Sequence, residues 1–483
     1  ITDLQGQVVS ESRSDYRLSY PQPGWVEQEP EALWQAVVGA VAGATEKAGD
    51  AGRFAALSLS CQGGTLIPAG DDGQPLRPAI SWLDTRAQEH GRQLLRAIGA
   101  DNLYRVTGWG VTFWSALLLI PWLFEYERQT YEKASHYLFV NDFILHRLTG
   151  VFCMDPSDAA MTVLYDIAAG RWSDMLCEAA GIRREQLSPI IPSGQLAGRL
   201  KPEWAAPLGL PAGLPVINGG HDQYCGALGA GVVESGDILL SSGTAWVLLA
   251  AAARPLWDPQ HTFSPGPHVL PDHWGLISSL PTAGAGMDWL ARTMLADPAG
   301  GKPRYDLLDR ELSNVEPGAR GLLFLPLFSG HESATGGSEV RATLTGLTLA
   351  HSRWDVAQSL MEGVACELRW VLDSLEALGY TPRSLVMVGG ASRSQIWPQI
   401  VSDVAGLPVA QSELVEAAAY GAARLAAIGL GASATSKLEA PHAWQAPTHT
   451  RRPDPARALL YERLLAQFKE TYATLQQLAR GSQ

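Results

Sequence analysis

The stretch INGGHDQYCGALGAGVVESGDILLSSGTAW, residues 217–246, decides how this chain is read. An apolar run, Leu214 to Ile217, leads into Gly219-Gly220-His221-Asp222. An Asp at a strand end, just after two glycines, reaches into a cleft without side-chain crowding. There it can take the proton of a substrate hydroxyl, which is worth about 10²–10⁴-fold in rate. A second apolar run, Ile238-Leu239-Leu240, leads into Ser241-Ser242-Gly243-Thr244. A strand ending in such a turn offers backbone N–H groups and hydroxyls to a phosphate. Read singly, each segment is ordinary turn chemistry. Together, a base followed by a phosphate cradle points to phosphoryl transfer onto an alcohol.

The totals set the frame for that reading. A length of 483 residues favours two domains, each large enough for its own core. With 46% apolar and 18% charged residues, the composition is that of a globular protein. No apolar run approaches the ~20 residues of a membrane span, and 1–6 lacks the marks of a signal peptide. The five cysteines (Cys61, Cys153, Cys177, Cys225, Cys366) are scattered, without a CxxC pair. That argues against a disulfide framework or a zinc site and suits a reducing cytoplasm. A net charge of −13 disfavours a nucleic-acid-binding surface but leaves ATP open, since ATP binds through local amides and Mg²⁺.

Outward from the central stretch, glycine turns end several more strands. The strand 54–60 runs into Ser60-Cys61-Gln62-Gly63-Gly64-Thr65. Residues 79–86 end in Ser81-Trp82-Leu83-Asp84-Thr85-Arg86. This reads either as Trp against a sugar face with Asp or Arg on its hydroxyls, or as a core Trp beside a surface ion pair. Gly284-Ala285-Gly286 precedes a helix expected from Met287, and Gly389-Gly390-Ala391-Ser392 joins a strand to a helix. Residues 1–10 read as strand, turn and strand, and Asp355 as the cap of a long core helix. The loop that opens with Phe328-Ser329-Gly330-His331-Glu332 ends near Arg341, and a proline-rich connector runs from 441 to 455. Strands and helices alternate twice, which favours two α/β domains with ligands at strand ends between them. The boundary is expected at 232–236, giving domains 1–235 and 236–483.

Taken in order, these motifs resemble the FGGY carbohydrate kinases. The resemblance rests on 21–34 (PQPGWVEQEPEALW), 81–87 (SWLDTRA), 139–150 (FVNDFILHRLTG), 219–222 (GGHD) and 241–244 (SSGT). It continues through 324–333 (FLPLFSGHES), 342–347 (ATLTGL) and 388–397 (VGGASRS…W). It implies two actin-like ATPase (ribonuclease-H-like) domains, with the sugar cleft in the first and ATP on the second. Asp222 then matches the general base. Gln62, Trp82, Asp84, Arg86 and His221 fall where the family contacts sugar. Gly243 and Thr244 match a phosphate loop. Gly284, Ala285 and Gly286, with Gly389, Gly390, Ala391 and Ser392, match turns lining the phosphates and adenosine. The implied cofactors are ATP and Mg²⁺, the implied partner is a small sugar or polyol, and homodimerisation is left open.

The sequence departs from the family at three places. Xylulose kinases carry Gln-Met-His-Gly where Gln62-Gly63-Gly64-Thr65 stands, whereas His221 and the 241–244 turn look more like rhamnulose or fuculose kinases. Leu118 falls at the position of a family lysine. Residues 1–6 match the segment just after the family's opening Asp-x-Gly-Thr turn, so roughly 15–20 further residues are expected upstream, as one strand and one turn require. A non-catalytic sugar or nucleotide sensor on the same scaffold competes with the kinase reading. The retained base argues against it. An actin-like polymer or chaperone ATPase would leave 60–86 without a purpose.

Overall fold

Both apolar runs of the 217–246 stretch form strands, one in each lobe. The computed structural model describes residues 1–49, 53–110, 115–295, 305–330, 340–414, 416–431 and 448–481. His331, Glu332 and the 441–447 part of the connector lie outside these described residues. In the first lobe, Pro215–His221 runs parallel to Leu57–Cys61 and antiparallel to Leu196–Arg199. The register sets His221 opposite Cys61, so the Gln62 turn and the His221-Asp222 turn leave the sheet at one edge. Gly219 is needed there: a Cβ on it would lie 1.7 Å from the Leu59 carbonyl oxygen. The ladder shifts register between Ile217 and Gly220, as a close backbone approach at glycine allows.

Helices cover this sheet. Pro30–Ala48 begins with proline in its first turn and buries Leu33 and Trp34. Val140–Thr149 buries Phe143, Ile144 and Leu148, and stops at Gly150 with φ 79°. Pro156–Met161 is short and capped by Asp155, whose carboxylate accepts the amides of Ser157 and Asp158.

The second lobe is built on seven strands among the described residues. Their spatial order is Ser264–Pro267, Trp274–Leu280, Trp246–Ala252, Asp237–Ser242, Ser384–Gly389, Val409–Ser412 and Thr448–Arg451. Asp237–Ser242 is central and parallel to Ser384–Gly389, with Ser242 opposite Gly389. The turns after these two strands therefore open side by side. Arg353–Ala377 is buried along most of its length, and Tyr461 and Phe468 of Ala458–Gly481 are buried in the same core.

The lobes meet where Asp222–Gly229 crosses Ala417–Gly429. A second contact lies on Tyr104, whose hydroxyl donates to the Phe263 carbonyl (2.7 Å) and accepts the Asp258 amide (3.1 Å). All five cysteines are buried free thiols. Among the described residues no helix is long and apolar enough to cross a membrane.

Three local expectations are corrected. Residues 1–10 form only a single bridge, Thr2 to Val8, because the Asp3 carboxylate accepts the amides of Gln5 and Gln7 and closes a turn. Ser352, not Asp355, caps the long helix. Asp355 is the third residue of the helix, closes the capping box and pairs with Arg320. The helix after Leu280 begins at Ala283, so Gly284, Ala285 and Gly286 are its first turn rather than a preceding loop.

Candidate active site

Asp222 is the first residue of the interlobe helix and stands at the positive end of its dipole. Its side chain is 41% exposed, and Oδ1 lies 3.4 Å from Nε2 of the buried His221. His221 Nδ1 is buried without a hydrogen-bond partner, and Nε2 is the ring nitrogen that faces the carboxylate. The His221 amide donates to Ser157 Oγ at 3.0 Å. Ser157 Oγ in turn donates to Asp155 Oδ1. Asn141 Nδ2 donates to both Asp155 Oδ2 (2.9 Å) and Asp158 Oδ2 (2.7 Å). Burial, and then the neighbouring Asp155 charge, hold the Asp158 carboxyl well above the ordinary aspartate range. A proton held by Asp158 lets two adjacent buried carboxyls coexist.

The sugar-side residues divide into two groups. Gln62 is a hub in the cleft. Its Nε2 donates to Gln28 Oε1 (2.9 Å) and Thr65 Oγ1 (2.8 Å), and its Oε1 accepts from Tyr16 (3.2 Å). Burial, then Cys61 and Asp222, raise the pKa of the Tyr16 phenol, so this ring shares the electrostatic environment of the base. Trp82 is 44% exposed, and its amide donates to Thr65 Oγ1 at 3.3 Å. An indole face is thus open beside a row of polar groups.

Asp84 and Arg86 are elsewhere, and the expectation of sugar contacts from them is corrected. Both side chains are fully buried. Asp84 accepts the Val26 amide (2.6 Å) and Arg86 Nε (2.9 Å). The Arg86 guanidinium also reaches Glu27 (2.9 Å) and lies 3.9 Å over the Trp25 ring. The pair ties 24–27 to 84–86, beneath the turn that carries Trp82. Leu118 is buried in the helix Ala116–Tyr126.

On the other lobe, three turns converge. Gly243 and Thr244 are exposed at the end of the central strand. The Ala285 amide donates to the Thr244 carbonyl at 2.8 Å. A Cβ on Gly284 would lie 2.0 Å from the Gly243 carbonyl oxygen, so the two loops touch backbone to backbone. Gly389 has φ 95° and lies against the Ser242 carbonyl, a conformation that glycine alone takes freely. Gly390 and Ala391 lead from it into a short turn. The Ser392 hydroxyl is spent on the Gly389 carbonyl (2.8 Å) and is not free to meet a ligand. Beside it opens a cleft of about 280 Å³ lined by Arg393, Gln395, Gln411, Glu413 and His449.

Sequence reasoning missed Tyr16, Gln28, Thr65, Asp155 and Ser157. Asp155-Pro156-Ser157-Asp158 carries a helix-cap signature, which was legible; its place under His221, 64 residues away, was not.

The N-terminal domain of the FGGY family of carbohydrate kinases matches residues 1–229, and the C-terminal domain of that family matches 238–430. A xylulose kinase of Escherichia coli (strain K12) is 31% identical over 430 residues, covering 88% of this chain and 86% of its own. An autoinducer-2 kinase of the same strain is 30% identical over 482 residues, covering 96% and 89%. The crystal structure of a xylulose kinase from Rhodospirillum rubrum superposes with a TM-score of 0.87 at 30% identity, covering 95% of this chain and 92% of that one. The chain therefore belongs to the FGGY family of carbohydrate kinases, phosphotransferases with an alcohol group as acceptor.

Proposed function

We propose that this chain transfers the γ-phosphoryl group of ATP to a hydroxyl of a ketose or related polyol, of pentulose or deoxyhexulose type, with Asp222 as general base. The observation that carries the reading is the placement of Asp222. A part-exposed carboxylate ends a first-lobe strand, while glycine turns with open backbone end the two parallel strands of the second lobe. The acceptor hydroxyl gives its proton to Asp222 as its oxygen bonds to the γ-phosphorus and the bond to the β-phosphate oxygen breaks. Trp82 supplies an apolar face for the sugar, and Gln62 with Tyr16 supplies donors and acceptors for its hydroxyls.

The phosphate side fits ATP on its geometry. Gly284 and Gly389 let their turns pack directly on the Gly243 and Ser242 backbones, which brings the three turns assigned to the phosphates together. Among the described residues, no group of three or more His, Cys, Asp or Glu is poised for a metal. Mg²⁺ would enter on the phosphates, where it would neutralise their charge, and no residue of this chain is assigned to hold it.

The test is coupled ADP release by the full-length protein with Mg-ATP against a panel of ketoses, deoxyketoses and polyols. D-Xylulose comes first, since two of the relatives are named for it. Sugar-dependent release is expected. Asp222→Ala should keep ATP and sugar binding and lose about 10²–10⁴-fold in kcat. Near-normal turnover in that variant removes Asp222 from the base role.

A further inference from the structure

Ser157 and Asp155 touch neither the cleft surface nor the phosphate turns; both are fully buried. They nevertheless pack directly on the base turn. A Cβ on Gly220 would lie 2.9 Å from Ser157 Oγ and 3.4 Å from Asp155 Oδ1. The Ser157 hydroxyl accepts a hydrogen bond from the His221 amide, the last strand amide before Asp222, and donates its own to Asp155. Asp155 is fixed in turn by the Ser157 amide (2.8 Å) and by Asn141 (2.9 Å). We propose that Ser157 and Asp155 are positioning residues for phosphoryl transfer: through the His221 amide they hold the base turn, and so fix where the Asp222 carboxylate stands in the cleft.

The physics favours a strict geometry. The His221 amide is buried, so losing its acceptor leaves an unsatisfied donor. The turn around it contains two glycines and has little stiffness of its own. Asn141 bridges the two carboxyls from its amide nitrogen, so Asp155 is held from both of its oxygens. A shift of about 1 Å in a reacting group costs up to ~10²-fold in rate. The clamp therefore acts on kcat rather than on sugar or ATP affinity.

This inference rests on the reading of Asp222 as the base, and two measurements separate the two ideas. The first is hydrogen exchange on the peptide 217–224 in the full-length protein. Ser157→Ala, and the isosteric Asp155→Asn, should raise its exchange at least tenfold while the strand Leu57–Cys61 stays protected. Unchanged exchange overturns the clamp whether or not the protein turns over. The second is a double-mutant cycle on sugar-dependent ADP release. Ser157→Ala is expected to lower kcat about 10–100-fold with both KM values within about twofold. In the Asp222→Ala background it should have no further effect. A further loss equal to the loss in the parent shows a role independent of Asp222 and overturns the proposal. Absence of ADP release from the parent protein with every sugar sinks the kinase reading, and with it the purpose assigned to the clamp.

Discussion

Gly421 lies so close to Cys225 that a Cβ on it would sit 1.8 Å from the Cys225 carbonyl oxygen. The relation is nearly mutual, since a Cβ on Gly229 would sit 2.0 Å from the Ala417 carbonyl oxygen. The two interlobe helices therefore cross with backbone against backbone, directly behind Asp222. Any side chain at either glycine must push the lobes apart.

Gly421→Ala should accordingly lower stability by about 1–3 kcal/mol, the usual cost of forcing atoms into a filled contact. Its helical conformation is unaffected, because alanine is the better helix former. Thermal unfolding followed by circular dichroism measures this. An unchanged or raised first transition would show that the helices can slide apart without loss, and the crossing would lose its place as the joint between lobes.

Gly284→Ala probes the phosphate side alone. Its Cβ would meet the Gly243 carbonyl at 2.0 Å, forcing apart the two turns assigned to ATP. The KM for ATP should rise at least about tenfold, which corresponds to ~1.4 kcal/mol of lost binding. Sugar affinity, read by titration calorimetry without nucleotide, should stay within twofold. Equal effects on both ligands would mean that the glycine serves the lobe's packing rather than the nucleotide.

Trp82 and Arg86 are four residues apart and should fail in different ways. Trp82→Ala removes a part-exposed ring and should raise sugar KM about tenfold with little change in melting temperature. Arg86→Met leaves the buried Asp84 without its cation and Glu27 with Arg77 alone. Breaking such a pair costs about 3–5 kcal/mol. Thermal melts beside sugar-dependent kinetics separate the two outcomes, and a purely kinetic effect of Arg86→Met would return it to the sugar site.

This contrast marks how far the sequence was legible. The strand ends at Asp222, Gly243 and Gly389 were readable because glycine, small polar residues and an apolar run state their local geometry directly. The same signals in 81–86 left two readings open, since Trp, Asp and Arg serve a ligand site and a buried ion pair equally well. Only the burial of Arg86 between Asp84, Glu27 and Trp25 separates them. Ser157, Tyr16 and Gln28 were invisible for another reason. Each enters the site through a partner distant in sequence: Tyr16 reaches Gln62 across 46 residues, and Gln62 reaches Gln28 across 34. Local patterns carry no information about such pairings.

Stability should depend on pH through two buried carboxyls whose positions are now known. Burial pushes Asp142 up from 3.8 to about 7, against hydrogen bonds from Ser188 and the Phe139 amide. Burial likewise pushes Glu362 up from 4.5 to about 7, against the Gly318 amide, Gln358 and Tyr461. All three Glu362 partners converge on Oε1, and Oε2 is buried without a partner. Both groups have folded values above their unfolded ones, so the folded state holds more protons across that window. Stability from each is intact below its unfolded pKa and falls as pH rises toward 7, by up to about 1.4 kcal/mol per pH unit per proton. Buried His268, lowered from 6.5 to about 3, acts in the opposite sense up to pH 6.5, so the total curve conceals the effect. The comparison that isolates it is parent against Glu362→Gln, melted at pH 5 and at pH 8. The variant should gain on the parent as pH rises, because its neutral amide has no charged form to bury. Parallel curves would place the Glu362 pKa outside this window and remove the carboxyl from the pH dependence of the second lobe.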